Sequence, residues 1–281
     1  MTGTADAAGD LERLRRELEG LDRVVVAFSG GADSAFLSWV AHDTLGASRV
    51  LCVTALSASL APAEEADCQA LAAEWGLRWV GVPTGELEDP AYVANDAGRC
   101  GRCKTALMDV LGPLAGNESA TVVLGTNVDD LGDHRPGQRA AAERGALFPL
   151  VEAGFTKAGV RAASRRLGLR TWDKPAAACL ASRLPYGTPV TIGALRSVGV
   201  AEEGLRALGF GQLRVRHHGD VARIEVTQDD LAAAVARRAE IVAVVRSAGY
   251  AFVSLDLEGF RSGSLNRVLA GAGTVPPPVA S

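Results

Sequence analysis

The run Arg23-Val-Val-Val-Ala-Phe28, followed at once by Ser29-Gly30-Gly31-Ala32-Asp33-Ser34, constrains this chain more than any other feature. A short apolar block rich in β-branched residues predicts a strand buried on both faces, as in a parallel sheet. From Asp33 to about Leu45 the pattern is helical, so the two glycines occupy a strand-to-helix turn. Glycine lets such a turn approach an anion closely, the helix start offers unpaired N–H groups, and the hydroxyls of Ser29 and Ser34 add donors. The reading is a phosphate-binding loop. Its competitor is a plain glycine-rich turn in which Asp33 and Ser34 only cap the helix. No Lys follows the glycines, which excludes the Walker pattern, and the G-x-G-x-x-G dinucleotide fingerprint is not present.

The alternation continues along the chain. Arg49–Thr54, Arg78–Val82 and Thr121–Leu124 read as further strands, with an amphipathic helix over Leu11–Leu21 and an Ala-rich one over Ala63–Trp75. This pattern predicts an α/β fold, a parallel sheet with helices on both faces. A polar stretch punctuated by Gly and Pro, Thr126–Pro149, is too long for an ordinary connection. Helix is expected over Thr156–Leu167, and a second irregular segment spans Trp172–Pro189. The character then changes to a helix over Ile192–Leu208, a hairpin over Gln212–Val226 turning at Gly219-Asp220, a helix over Asp229–Ala248 and a strand over Tyr250–Leu255. These elements predict a small C-terminal α+β domain. The expected division is 1–190, 191–268 and a disordered Gly-, Ala- and Pro-rich tail over 269–281.

Composition narrows the classes. The 281 residues carry 29 Lys plus Arg against 33 Asp plus Glu, a net charge of −4. That balance lacks the broad basic surface of a nucleic-acid binder. No apolar run approaches the roughly 20 residues that cross a bilayer, and Met1–Asp10 has neither the basic start nor the apolar core of a signal peptide. A cytoplasmic protein with neither nucleic acid nor membrane as partner is expected. Five cysteines, an odd number in a chain read as unexported, argue against a disulfide framework.

The full string Ser29–Ser34 resembles the pyrophosphate loop of the PP-loop ATP pyrophosphatases, which share the adenine nucleotide α-hydrolase-like fold. Those enzymes cleave ATP to AMP and pyrophosphate while activating a substrate as an adenylate. Gly125-Thr126-Asn127-Val128-Asp129-Asp130 is similar to the second nucleotide-side loop of that superfamily; Asp129 and Asp130 could orient Mg²⁺ or substrate, and spacing alone equally allows solvated turn carboxylates. Within the superfamily, Arg99-Cys-Gly-Arg-Cys-Lys104, the run Gly125 to Gly137 and the Cys179-bearing segment Trp172–Pro189 resemble the LarE family, as does the hairpin RVRHHGDVARIE. The likeness extends from about residue 15 to 265. It implies an ATP-dependent sulfur transferase of nickel-pincer nucleotide cofactor biosynthesis, acting on pyridinium-3,5-biscarboxylic acid mononucleotide and working as a homo-oligomer. ATP and Mg²⁺ would meet Ser29, Gly30, Gly31, Asp33, Ser34, Gly125, Thr126 and Asp130.

The resemblance also assigns the sulfur chemistry. Cys179 takes the place of the family's sulfur donor, which one branch consumes, leaving dehydroalanine. Lys174, Ser182 and Arg183 lie near it in sequence and could favour its thiolate; on composition alone a Cys is most often a small buried hydrophobe. Cys100 and Cys103 form a C-x-x-C that suits half a zinc site, a redox pair or two iron–sulfur ligands. Other LarE-like proteins carry a [4Fe-4S] cluster on three cysteines, which makes Cys100, Cys103 and Cys179 the expected cluster set. Cys52, in a strand, and Cys68, in a helix, are expected in the core. Arg214 and Arg216 alternate on one strand face and could grip one phosphate, the role the family gives that pair, against a solvated strand face. Glu202 and Glu225 match acidic family positions linked to a divalent ion near a subunit contact, with Glu203 adjoining. His217 and His218 read as hairpin surface, and Arg135 and Arg139 could serve a nucleotide or a neighbouring subunit. A tRNA thiolase on the same loop is the rival enzyme reading, opposed by the acidic charge. An amide-forming ligase would need no cysteine segment, and an inactive nucleotide-binding scaffold would not keep both loops intact.

Overall fold

The computed structural model describes residues 3–131, 136–175 and 178–261. The chain divides into two compact units, Met1–Cys179 and Leu180–Ser281. That division falls upstream of residue 190, where the composition changes. The tail at 269–281 and Arg135 lie outside the described residues.

In the first unit the elements are α1 (Gly3–Glu19), β1 (Val24–Ala27), α2 (Ala32–Leu45), β2 (Val50–Leu56), α3 (Pro62–Trp75), β3 (Trp79–Pro83), α4 (Pro90–Val93), α5 (Arg99–Glu118), β4 (Thr121–Leu124), α6 (Pro136–Ala142), α7 (Pro149–Glu152) and α8 (Lys157–Arg166). The strands form one parallel sheet in the order β3-β2-β1-β4. The chain builds outward from β1 to β3, then returns to lay β4 on the other side of β1. Direction therefore reverses between β1 and β4, and sheets of this kind bind ligands at the carboxyl ends of the strands beside that reversal.

Side-chain alternation along β1 explains both helix layers. Val24, Val26 and Phe28 pack with Leu14 and Leu18 of α1, Phe36 and Val40 of α2 and Val160 of α8. Val25 packs on the other face with Val53 of β2 and Met108 and Leu111 of α5. Burying each such side chain contributes about 1.5–3 kcal/mol. Helix α5 was not foreseen from sequence, because Gly101, Gly112, Pro113 and Gly116 are poor helix formers. Its buried Met108, Leu111 and Ala115 hold it against the sheet. Among the described residues no helix is long and apolar enough to cross a membrane.

The second unit contains α9 (Ile192–Ala207), β5 (Leu213–His218), β6 (Val221–Val226), α10 (Leu231–Ala236), α11 (Arg238–Ser247) and β7 (Phe252–Leu255). His218 pairs with Val221 across the antiparallel β5–β6 hairpin, so Gly219-Asp220 is its two-residue turn. Gly219 adopts φ +62°, a left-handed conformation that favours glycine. β7 adds to β6 in parallel. The helix expected over Asp229–Ala248 is two helices that meet at Arg237. Leu213, Val215 and Ile224 form the core with Leu205 of α9 and Val245 of α11.

Candidate functional site

The loop after β1 and the loop after β4 meet at the reversal point. Gly30 adopts φ +67°. Gly31 caps α2 without a side-chain hydrogen bond, leaving the first N–H groups of that helix directed out of its N-terminus. The loop is braced internally: Ser29 Oγ and Ser34 Oγ stand 3.0 Å apart, and Ser29 N donates to Ser34 Oγ at 3.2 Å. Opposite it, Gly125 is required by contact. A Cβ there would lie 2.9 Å from both N and Cα of Ser34. Thr54 ties the strand ends together, its hydroxyl donating to Phe28 O at 2.7 Å and accepting from Trp79 Nε1 at 2.8 Å.

Between the loops lies a cavity of about 590 Å³, bordered by Ser29, Gly31, Asp33 and Ser34 on one side and by Gly125, Thr126 and Asp130 on the other. Four cations line it: Lys104, Lys157, Arg161 and Lys174. Burial raises the Asp33 pKa and the charge of Asp130 adds to the effect, while Asn127, Lys157 and Arg161 pull it down. Two carboxylates therefore face a site whose other charges are positive. Lys157 Nζ lies 3.1 Å from Asp130 Oδ1. Asp129 has a different task, accepting from Lys157 N at 2.7 Å at the start of α8. Lys174 bonds Glu64 Oε2 at 2.8 Å and Asp67 Oδ2 at 2.6 Å. Burial opposes its charge, but those two carboxylates more than offset that and raise its pKa. Lys157 and Arg161 were not singled out from sequence, since only the fold brings α8 beside the β1 loop.

The cysteines fall into two groups. Cys52 and Cys68 are fully buried, and burial pushes the Cys52 thiol up to about 12. Cys100 and Cys103 sit in the opening turns of α5; Cys100 and Cys179 are exposed and Cys103 is half-buried. Burial pushes Cys103 up to about 12, and the charges of Cys179, Glu86 and Cys100 add to it. Cys103 thus feels both other thiols, and Lys104 pulls its pKa down. Arg99 is also coupled to them: its burial works against its charge, while Cys179 and Cys100 raise its pKa. Of the cations expected to favour the Cys179 thiolate, Lys174 is engaged by Glu64 and Asp67, and Arg183 by Glu202 within the second unit.

Among the described residues no three His, Cys, Asp or Glu side chains are close enough to hold a single metal ion. Cys103 feels the charges of Cys179 and Cys100, but the three thiols do not close into a metal-binding group.

In the second unit, Arg214 and Arg216 share a face of β5, opposite the fully buried Leu213 and Val215. Glu202 is 1% exposed and receives Arg183 through Nε at 2.8 Å and Nη2 at 3.0 Å, Arg206 Nη2 at 2.9 Å and Val215 N at 3.1 Å. Glu225 receives Arg216 at 2.7 Å and Arg223 at 3.1 Å. Both carboxylates, expected from the resemblance at a divalent ion, here direct their oxygens at arginines. Four guanidinium groups thus surround two carboxylates, and Arg214 adds a fifth, stacked 5.0 Å over Phe260. Burial and the charges of Arg183, Arg216 and Arg206 bring the Arg214 pKa down to about 10. An anion would relieve that crowding. His217 leans on Tyr250, its Nδ1 3.1 Å from the phenol oxygen.

The Arg183–Glu202 pair makes a stability prediction. Glu202→Gln leaves a buried guanidinium short of its counter-charge, and the second unit should lose about 3–5 kcal/mol in denaturant unfolding. Acid should act the same way: burial would raise the Glu202 pKa, but Arg183 more than offsets it and holds it below 4.5. The pair's stabilisation is then present above that value and is lost as pH falls through the lower folded-state pKa.

No family model matches the chain. It is 46% identical over 262 residues to an uncharacterised protein of Synechocystis, spanning 92% of this chain and 97% of the relative. It is 38% identical over 256 residues to the pyridinium-3,5-bisthiocarboxylic acid mononucleotide synthase of Lactiplantibacillus plantarum, spanning 91% and 93%. An uncharacterised protein of Methanocaldococcus jannaschii is 26% identical over 241 residues, spanning 85% and 91%.

Proposed function

The chain belongs to the LarE family of pyridinium-3,5-bisthiocarboxylic acid mononucleotide synthases, and from that membership we propose that it activates a pyridinium carboxylate with ATP and then replaces a carboxylate oxygen by sulfur at Cys179. The observation that supports this most is the pairing of a cation-lined cavity at the β1–β4 reversal with a Cys103 thiol that feels the charges of Cys179 and Cys100 in the same unit.

ATP phosphates would lie on the N–H groups of the Gly30-Gly31 turn and the start of α2, with Lys104, Lys157, Arg161 and Lys174 offsetting their charge. Asp33 and Asp130 suit Mg²⁺, which takes one or two protein carboxylates and fills its remaining positions with phosphate oxygens and water. The substrate carboxylate attacks the α-phosphorus, forming an acyl-adenylate and releasing pyrophosphate. AMP is a far better leaving group than oxide, so a thiolate can then displace it. When Cys179 is the nucleophile, its sulfur bonds the acyl carbon and AMP leaves. Loss of the Cα proton and cleavage of the Cβ–S bond then free the thiocarboxylate and leave dehydroalanine. A [4Fe-4S] cluster on Cys100, Cys103 and Cys179 would instead supply sulfide and spare the side chain. The presence of all three cysteines in the chain supports this second mode.

The arginine cluster of the second unit suits the substrate's phosphate. Arg214→Ala should raise the KM for the mononucleotide by about 10- to 100-fold, the equivalent of one charged hydrogen bond, with kcat little changed. An unchanged KM would remove Arg214 from the phosphate site. The reading as a whole is tested by incubating the anaerobically purified protein with ATP, Mg²⁺ and the biscarboxylate mononucleotide. Mass spectrometry should find an oxygen-for-sulfur exchange in the product, and AMP should accumulate. Release of ADP, or thiolation of tRNA in place of the mononucleotide, would contradict it.

A further inference from the structure

Glu64, Asp67, Cys68 and Leu71 recur along α3 at helical spacing and so share one of its faces. That face is turned to the β1 loop. A Cβ at Gly30 would lie 2.9 Å from Cys68 Sγ, 3.8 Å from Leu71 Cδ1 and 3.6 Å from Lys174 Nζ. One turn nearer the helix start, Glu64 Oε2 and Asp67 Oδ2 receive the same Lys174 Nζ at 2.8 and 2.6 Å. Both sides of this contact are fixed in turn. Arg170 Nη2 holds the other oxygen of Asp67 at 2.7 Å, and Arg161 Nη2 donates to Lys174 O at 3.3 Å. An ammonium has three N–H donors. The two carboxylates of α3 take two of them, and the third remains on a lysine that borders the cavity beside Gly30.

We propose that Glu64 and Asp67 are positioning residues for nucleotide activation, holding the Lys174 ammonium so that its remaining N–H donor meets an oxygen of the pyrophosphate group at the Gly30 turn. The proposal rests on the ATP reading above. A lysine has a flexible stem and a rotating head, and a ligand that must order it loses affinity in doing so. Held by α3, the donor is in place before ATP arrives and stays with the pyrophosphate as that group departs and gains charge. Net charge alone makes the opposite demand. Two carboxylates beside a polyanion site weaken it by repulsion, so they help binding only by aiming the lysine.

The test uses the full chain as wild type, Glu64→Gln, Lys174→Met, the double variant and Glu74→Gln. The last removes the same charge from α3 at a residue that pairs with Arg170 instead of Lys174. Isothermal titration with inorganic pyrophosphate and Mg²⁺ measures affinity, and ATP–pyrophosphate exchange with the biscarboxylate measures turnover. Glu64→Gln should bind pyrophosphate about 3- to 10-fold more weakly, although it makes the site more positive, and Glu74→Gln should match wild type. Exchange by Glu64→Gln should slow with the KM for the biscarboxylate unchanged, which a general loss of structure would not spare. In the Lys174→Met background Glu64→Gln should change nothing further, since the lysine it aims is gone. If Lys174→Met folds poorly, Glu64→Gln against Glu74→Gln still decides the matter. Equal or tighter pyrophosphate binding by Glu64→Gln, or an undiminished loss without Lys174, overturns the positioning role alone. A wild-type protein that binds no pyrophosphate overturns the phosphate-site reading and this proposal with it.

Discussion

Cys179→Ala abolishes sulfur transfer, lowering product formation by about 10³-fold or more, and leaves ATP–pyrophosphate exchange in the presence of the biscarboxylate close to wild type. The separation follows from how the unit is built. On the proposed chemistry adenylation depends on the two loops at the β1–β4 reversal, whereas Cys179 couples by charge to Cys103 of α5. Removing one sulfur atom takes nothing from the phosphate contacts. The result is read by measuring exchange and thiocarboxylate on the same preparation. Sustained thiolation by the variant would remove Cys179 from the chemistry, and loss of exchange would mean that this residue shapes the nucleotide site.

Gly125→Ala gives the opposite pattern. The added methyl would meet the backbone of Ser34 at 2.9 Å, on both N and Cα, and 3.1 Å from the carbonyl carbon of Asp33. Backbone in the first turn of a helix cannot swing aside as a side-chain tip can, so the two loops must separate. Overpacking of this kind costs about 1–3 kcal/mol, and the strain falls on the N–H groups proposed to hold phosphate. ATP affinity should drop by about 10- to 100-fold, and sulfur transfer should fall with it while all five cysteines remain. Isothermal titration with a non-hydrolysable ATP analogue measures this directly. Unchanged affinity would mean that the close approach of the loops is incidental to nucleotide binding.

Sequence made the sheet legible because each strand is a compact apolar block. Thr121–Leu124 is strand over the residues that the pattern marks, and the β1 valines alternate between two cores as a strand buried on both faces requires. Helix α5 was hidden by local chemistry: its glycines and Pro113 disfavour helix, and only packing of Met108 and Leu111 on the sheet overrides them. The single helix expected over Asp229–Ala248 failed for a related reason, since uniform Ala- and Val-rich helical patterning carries no mark of the break at Arg237.

For the site, motifs exposed the glycines where the two loops turn or approach closely, Gly30 and Gly125. They missed Lys157 and Arg161, whose places beside the cavity are set by distant packing rather than by neighbours in sequence. Glu202 shows the limit from the other side. A family position named it for a metal, whereas its environment, with two guanidinium groups and the Val215 N–H on one buried carboxylate, is visible only in three dimensions.

In the proposed reaction a substrate carboxylate is adenylated before sulfur reaches it. Substrate carrying ¹⁸O in its carboxylates tests this most directly, with AMP and thiocarboxylate isolated after turnover. One labelled oxygen should pass to the phosphate of AMP for each thiocarboxylate formed. Unlabelled AMP, or label in ADP or inorganic phosphate, would contradict the account.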